Sequence, residues 1–133
     1  MPASAPKVAI VLPVYNAVET VARAIGSILC QTEEDHELII VDDGSTDGSR
    51  DVIEETVGGD SRVRVVHHDS NRGVVAAANH GHELARAELV ARMDADDWSH
   101  PKRIEKQVEF LRENPDCHVC GSLIRISGGV GGQ

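Results

Sequence analysis

Leu38-Ile39-Ile40-Val41-Asp42-Asp43-Gly44-Ser45-Thr46-Asp47 passes from four apolar residues, three of them β-branched, directly into two acids and a turn. A short apolar run closed by turn residues reads as a strand buried on both faces. Ser45 or Thr46 can cap a helix running to about residue 57, with Val52, Ile53 and Val57 turned inward and Gly58-Gly59-Asp60 ending it. Strand, acidic turn and helix thus follow within one short unit.

The same unit recurs on either side. Val8-Ala9-Ile10-Val11-Leu12 is an apolar run closed by Pro13, and Val18, Val21, Ala22, Ile25, Ile28 and Leu29 follow at helical spacing. Residues 63–66 predict a third strand and 74–86 an Ala-rich helix. Leu89-Val90-Ala91-Arg92-Met93 predicts a fourth strand. Ser99 then caps a helix with Pro101 in its first turn, Ile104, Val108 and Leu111 inward and Asn114-Pro115 as its stop. Residues 119–126 predict a fifth strand, followed by a glycine-rich end. Alternating buried strands and helices imply an α/β fold with a mostly parallel, Rossmann-like sheet and helices on both faces. Ligands of such sheets bind at the carboxyl ends of the strands. There the pattern gathers Pro13-Val14-Tyr15-Asn16, Asp42-Asp43 and Asp94-Ala95-Asp96-Asp97.

The last of these crowds three carboxylates into four residues after a strand. Like charges so close raise one another's pKa, and a cation relieves the cost. In extended chain Asp94 and Asp96 point the same way, with Asp97 elsewhere unless the chain turns. Carboxylates suit Mg²⁺ or Mn²⁺, which keep positions open for phosphate oxygens. The plainer alternative is a solvated acidic turn that caps the following helix. Asp43, Ser45, Asp47, Gly48 and Glu54 imitate the spacing of a calcium-binding EF-hand loop, but a strand rather than a helix precedes them. Tyr15 is able either to stack on a base or to cover the edge of the core.

Composition sets limits. The 133 residues suffice for one domain with a core. Aromatics make up 2% and the formal net charge is -9, and both argue against nucleic-acid binding, which needs stacking platforms and a basic face. Cys30, Cys117 and Cys120 are an odd number and suggest no disulfide framework. Cys117-His118-Val119-Cys120 lacks two further zinc ligands and reads as partly buried strand cysteines. His67, His68, His80 and His82 read as surface histidines. No apolar run approaches the roughly 18 residues of a membrane span, no signal-peptide pattern opens the chain, and a reduced, cytoplasmic setting is expected. No Gly-rich dinucleotide or Walker loop is found.

Together these segments resemble the N-terminal, nucleotide-sugar-binding half of a family 2 inverting glycosyltransferase of GT-A fold. The resemblance rests on Val11 to Asn16, Ser27-Ile28-Leu29-Cys30-Gln31-Thr32, Glu37 to Asp47, Asn71-Arg72-Gly73 with Asn79 and Gly81, and Met93 to Trp98, in that order. It implies a transferase of cell-envelope polysaccharide biosynthesis that takes a nucleotide-diphospho-sugar, UDP-linked by preference. Pro13, Val14, Tyr15, Glu19, Asp43, Asp94 and Asp96 would bind the donor, and Asp96 and Asp97 a divalent Mn or Mg ion. Asp43, an acceptor when ionised, favours a base edge that offers an N–H. The acceptor would be a saccharide or lipid-linked hydroxyl, and the full-length protein cytoplasmic or peripheral to the inner face of the membrane.

The family often has a basic residue where this chain has Ala78, so Arg72 or Arg92 would have to steady the diphosphate. The family's catalytic base and acceptor site lie beyond the fifth strand. Residues 1–133 therefore read as one truncated, donor-binding domain with no catalytic base of its own. A nucleotidyltransferase is the rival enzyme class, but its basic Gly-rich loop after the first strand is missing. An inactive fragment that self-associates through an exposed sheet edge near residues 119–126 is the non-enzymatic alternative.

Overall fold

The computed structural model describes residues 4–122. Four strands and four helices alternate: β1 (Val8–Val14), α1 (Val21–Leu29), β2 (His36–Asp42), α2 (Ser49–Val57), β3 (Val63–His67), α3 (Val74–Leu84), β4 (Leu89–Arg92) and α4 (Arg103–Glu113). The strands form one parallel sheet in the order β3-β2-β1-β4. β1 and β2 lie in the middle and are buried along their whole length, which explains their uninterrupted apolar runs. β3 and β4 are the outer strands among the described residues and are only half-buried, contrary to the expectation of four fully buried strands.

Side chains alternate across the sheet, and each face has its own core. Val8, Ile10, Leu12 and Val14 of β1 join Leu38 and Ile40 of β2 beneath α1, α2 and α4. Ala9, Ile39 and Val41 face Ala77 of α3 on the other side. That second layer is thin because its helix is built of small residues. Gly81 of α3 lies against Val11, and a methyl group at position 81 would collide with that side chain. Ala78 is buried in the same helix, so the position read as missing a basic group holds a packing residue.

Several sequence-based boundaries shift for physical reasons. Pro13 does not end β1, which continues to Val14. Val11 accepts a hydrogen bond from Met93 on the β4 side, and residue 13 points the same way, where β4 has already ended. The N–H that proline lacks has no strand to meet. Ser45 and Thr46 do not cap α2. Its N-cap is Gly48 in a left-handed conformation, φ 96°. Ser99 lies three residues short of the N-cap of α4, Lys102. Residues 117–122 form no strand, so Cys117 and Cys120 are not strand cysteines, and residues 123–126 of the expected fifth strand lie outside the described residues.

The segment between β4 and α4 is held by α1. The amide of Gln31, 3% exposed, donates to the carbonyls of Ser27 and His100 at 3.0 and 2.8 Å and accepts from the Ile104 N–H at 3.0 Å. Ser27 Oγ accepts from the Ser99 N–H at 3.1 Å, and Pro101 accepts from the Thr32 N–H. These bonds explain why the Ser27 to Thr32 stretch has its polar character inside a buried helix end. Gln31→Ala strands three backbone groups, each worth about 1 kcal/mol or more when left unmet. The expected loss is about 2–4 kcal/mol in urea unfolding; a loss under 0.5 kcal/mol would show that water replaces the clamp.

Candidate functional site

The carboxyl ends of β1, β2 and β4 open on one edge, and the loops there are tied to each other. Asn16, the one described non-glycine residue with positive φ (48°), donates its backbone N–H to Ser45 Oγ at 3.0 Å. Its side-chain carbonyl accepts from the Thr46 N–H at 2.8 Å. Ala17 and Val18 donate to Ser49 Oγ and Asp47 Oδ2. Ser45, Thr46 and Asp47 therefore brace the β1–α1 loop. Tyr15, just before this junction, is 51% exposed and does not cover the core. Glu19 is exposed too, whereas Pro13 and Val14 are buried.

Asp42 and Asp43 are both buried, and their side chains diverge. Asp42 accepts from His67 Nδ1 at 2.9 Å, and His67 Nε2 lies 2.9 Å from Glu54 on α2. Asp43 turns toward α3. Its Oδ1 accepts from His68 Nδ1 at 2.8 Å and from the Arg72 N–H at 3.0 Å, while Oδ2 accepts from the Gly73 N–H at 2.9 Å. Burial alone would push the Asp43 carboxyl up. The bonds from His68, Arg72 and Gly73 and the charge on His68 outweigh it and hold the group below its ordinary value. His67 and His68 are thus not surface residues. They are the imidazole partners of the two acids at the end of β2.

Beyond β4 the chain turns. The Asp97 N–H donates to the Asp94 carbonyl at 3.1 Å, and Met93 and Ala95 anchor the turn in the core. Asp97 therefore joins Asp94 and Asp96, with one carboxylate oxygen from each within 4.8 Å of the others. All three side chains are exposed. Burial, then repulsion from Asp96 and Asp94, raises the Asp97 carboxyl, partly offset by the charge of Arg103. The Arg103 guanidinium donates to Ser99 Oγ and to the Arg92 carbonyl, which fixes it behind the turn. Arg92 reaches to 3.9 Å from Asp94.

The sequence puts Tyr15, Asn16, Asp43 and the acidic turn at this edge, as the structure does, but misses what His68, Asn16, Gln31 and Arg103 hold. Each missed residue works on a partner more than 10 residues away in sequence. Only the strand order could have revealed His68, because pairing of β2 with β3 sets His67 opposite Asp42.

The sequence model described as Glycosyl transferase family 2 matches residues 9–133. The succinoglycan biosynthesis protein ExoU of Rhizobium meliloti is 40% identical over 120 residues, covering 86% of this chain and 35% of that protein. The mannosyltransferase PcManGT of Pyrobaculum calidifontis, solved with GDP-Man and Mn²⁺, superposes with a TM-score of 0.74 at 26% identity, over 81% of this chain and 33% of that one. S. aureus TarS, solved with UDP-GlcNAc, gives a TM-score of 0.73 at 23% identity, over 82% and 32% of the two chains. The chain spans less than half the length of the curated relatives it matches. Among the described residues no helix is long and apolar enough to cross a membrane.

Proposed function

The chain belongs to glycosyl transferase family 2, and on that premise we propose that its carboxyl edge is the donor site for a uridine-diphospho-sugar. The sugar passes to a saccharide or lipid-linked acceptor hydroxyl with inversion. Residues 4–122 make up the donor-binding half. The base that activates the acceptor is assigned to the part of the family fold that follows it.

The observation that carries this reading is the convergence of Tyr15, Asp43 and the Asp94-Asp96-Asp97 cluster on the edges of three neighbouring strands. Tyr15 offers an exposed ring for a base to stack on. An ionised carboxylate has about four acceptor positions. Two donors already meet Oδ1 of Asp43 and one meets Oδ2. One acceptor position remains, on Oδ2. The single imide N–H of uracil fits that capacity. Guanine presents two adjacent donors to a carboxylate, and cytosine presents an acceptor at the corresponding ring nitrogen.

The acidic turn fits a divalent cation. Its three exposed carboxylates converge, and the Asp97 carboxyl is raised first by burial and then by repulsion from Asp96 and Asp94, the part that a cation would relieve. Asp96 and Asp97 would hold Mn²⁺ or Mg²⁺, with Asp94 toward the ribose. When bound, the metal supplies positive charge for the departing diphosphate. Arg92, 3.9 Å from Asp94, would help steady that diphosphate.

Calorimetric titration with UDP and GDP, each with and without Mn²⁺, tests the proposal. UDP is expected to bind with Mn²⁺ and to prefer this site over GDP by roughly tenfold, the worth of one well-made hydrogen bond to a charged group. Binding of neither nucleotide sinks the donor-site reading. A preference for GDP sinks only the base assignment.

A further inference from the structure

Behind Asp43 stands a pair of histidines with no part in the donor site so far. His68, the residue after β3, is 6% exposed. Its Nδ1 lies 2.8 Å from Asp43 Oδ1, and its Nε2 lies 2.8 Å from Nδ1 of His80 on α3. The two rings are within 7° of coplanar with centroids 5.1 Å apart. With nitrogens in contact at that separation the rings meet edge to edge through an N–H···N bond, not face to face. The three side chains form one continuous hydrogen-bonded line from β2 through β3 to α3.

The chemistry of the line assigns its protons. An ionised carboxylate only accepts, so His68 Nδ1 carries a hydrogen. If His68 is neutral, its Nε2 is bare and accepts from His80 Nδ1–H. If it is cationic, Nε2–H donates to a bare His80 Nδ1. In either state His80 leaves no buried nitrogen of His68 without a partner, and it holds the ring with Nδ1 toward Asp43. A third group that orients an imidazole in this way sets which nitrogen is protonated.

Resting on the uridine-donor reading above, we infer that His68, held by His80, is a positioning residue that makes Asp43 selective for a base with a single N–H donor. His68 fills the second acceptor position of Oδ1. With it in place the carboxylate offers one lone pair to a ligand. Without it, Oδ1 and Oδ2 each have an open position, which matches in number the two donors that guanine presents. His68 therefore works by exclusion, and its loss should broaden base choice rather than simply weaken binding.

The test compares two amide replacements that differ in reach. The Asn side-chain nitrogen falls near the position of Nδ1, whereas that of Gln falls near Nε2. Dissociation constants of UDP and GDP are measured with Mn²⁺ for wild type, His68→Asn, His68→Gln and His80→Phe, with unfolding midpoints alongside. Wild type and His68→Asn are expected to keep the roughly tenfold preference for UDP. In His68→Gln the preference should fall to within about threefold, and His80→Phe, which keeps a ring but lacks the partner nitrogen, should fall between. A ratio in His68→Gln equal to wild type overturns the inference and leaves the donor site standing. Equal loss of preference in the Asn and Gln variants overturns it as well, because bulk rather than the Nδ1 donor would then be at work. Absence of UDP binding by wild type overturns the donor-site reading, and the inference falls with it.

Discussion

Asp96→Ala is expected to weaken UDP binding in Mn²⁺ on the order of 100-fold or more and to make the remaining binding indifferent to the metal. Changes to groups that merely orient a metal ligand already cost 10–100-fold, and Asp96 is assigned to the ion itself. The fold should not suffer. Asp96 is exposed at the tip of the turn, while the turn is held by Met93, Ala95 and Ser99, which stay in place. Asp97→Asn makes a companion with a distinct signature. The Asp97 carboxyl is raised, first by burial and then by Asp96 and Asp94. A raised carboxyl means that the folded chain holds that proton more tightly than the unfolded chain, whose Asp titrates near pH 3.9. Ionisation thus works against the metal-free fold: the penalty builds as pH rises past the unfolded value, is complete above the raised value, and is absent only below the unfolded value. Neutral Asn removes the penalty, so the metal-free variant should unfold at an equal or higher temperature than wild type while losing manganese-dependent binding. Metal affinity should likewise weaken on acidification, as a proton competes for Asp97. Unchanged manganese dependence in Asp96→Ala would defeat the metal assignment, whatever became of UDP.

What the sequence disclosed and what it hid divide by range. β1 and β2 were legible because central parallel strands are buried on both faces, so Val8 to Leu12 and Leu38 to Val41 need no polar alternation. The acidic turn was legible because three carboxylates in a row have few structural uses. Its geometry was only half-legible: strand periodicity put Asp94 and Asp96 together, and the hydrogen bond from Asp97 to Asp94 brought in the third. The caps were misread because Ser45 and Thr46, good cap residues by type, are engaged by Asn16 from another loop. The histidines were misread because β3 lies beside β2, and no local pattern announces a partner 25 residues away. Gln31 resembles a solvated helix end until α4 is packed against it. The family resemblance names such positions without explaining them, whereas the explanation lies in long-range pairing.

Gly44 joins the two ranges, and Gly44→Ala is expected to be the most damaging single methyl at this edge. The residue follows Asp43 with φ of 77°, a region L-residues rarely adopt and which costs a residue with a Cβ roughly 1–2 kcal/mol. The surroundings allow even less. A Cβ there would sit 2.7 Å from the carbonyl carbon of Ser70 and 2.8 Å from the nitrogen of Asn71. Both are backbone atoms and cannot swing aside like a flexible side chain. The 70–73 segment would have to move, and it carries the Arg72 and Gly73 N–H groups that meet the Asp43 carboxylate. Hydrogen bonds to a charged group are worth about 1.5–3 kcal/mol each. Strain plus partial loss of these bonds predicts a destabilisation of about 3–5 kcal/mol by urea unfolding. The folded remainder should bind UDP more weakly and discriminate poorly against GDP, since Asp43 regains open acceptor positions. Gly58→Ala serves as the control. Gly58 also has a positive φ, 56°, but its added Cβ meets nothing nearer than the Glu55 carbonyl oxygen at 3.8 Å. It should lose only the conformational term, about 1 kcal/mol, and keep full UDP affinity. If the two alanine variants are equally stable, the close approach of the 70–73 segment to Gly44 is not what holds Asp43 in place.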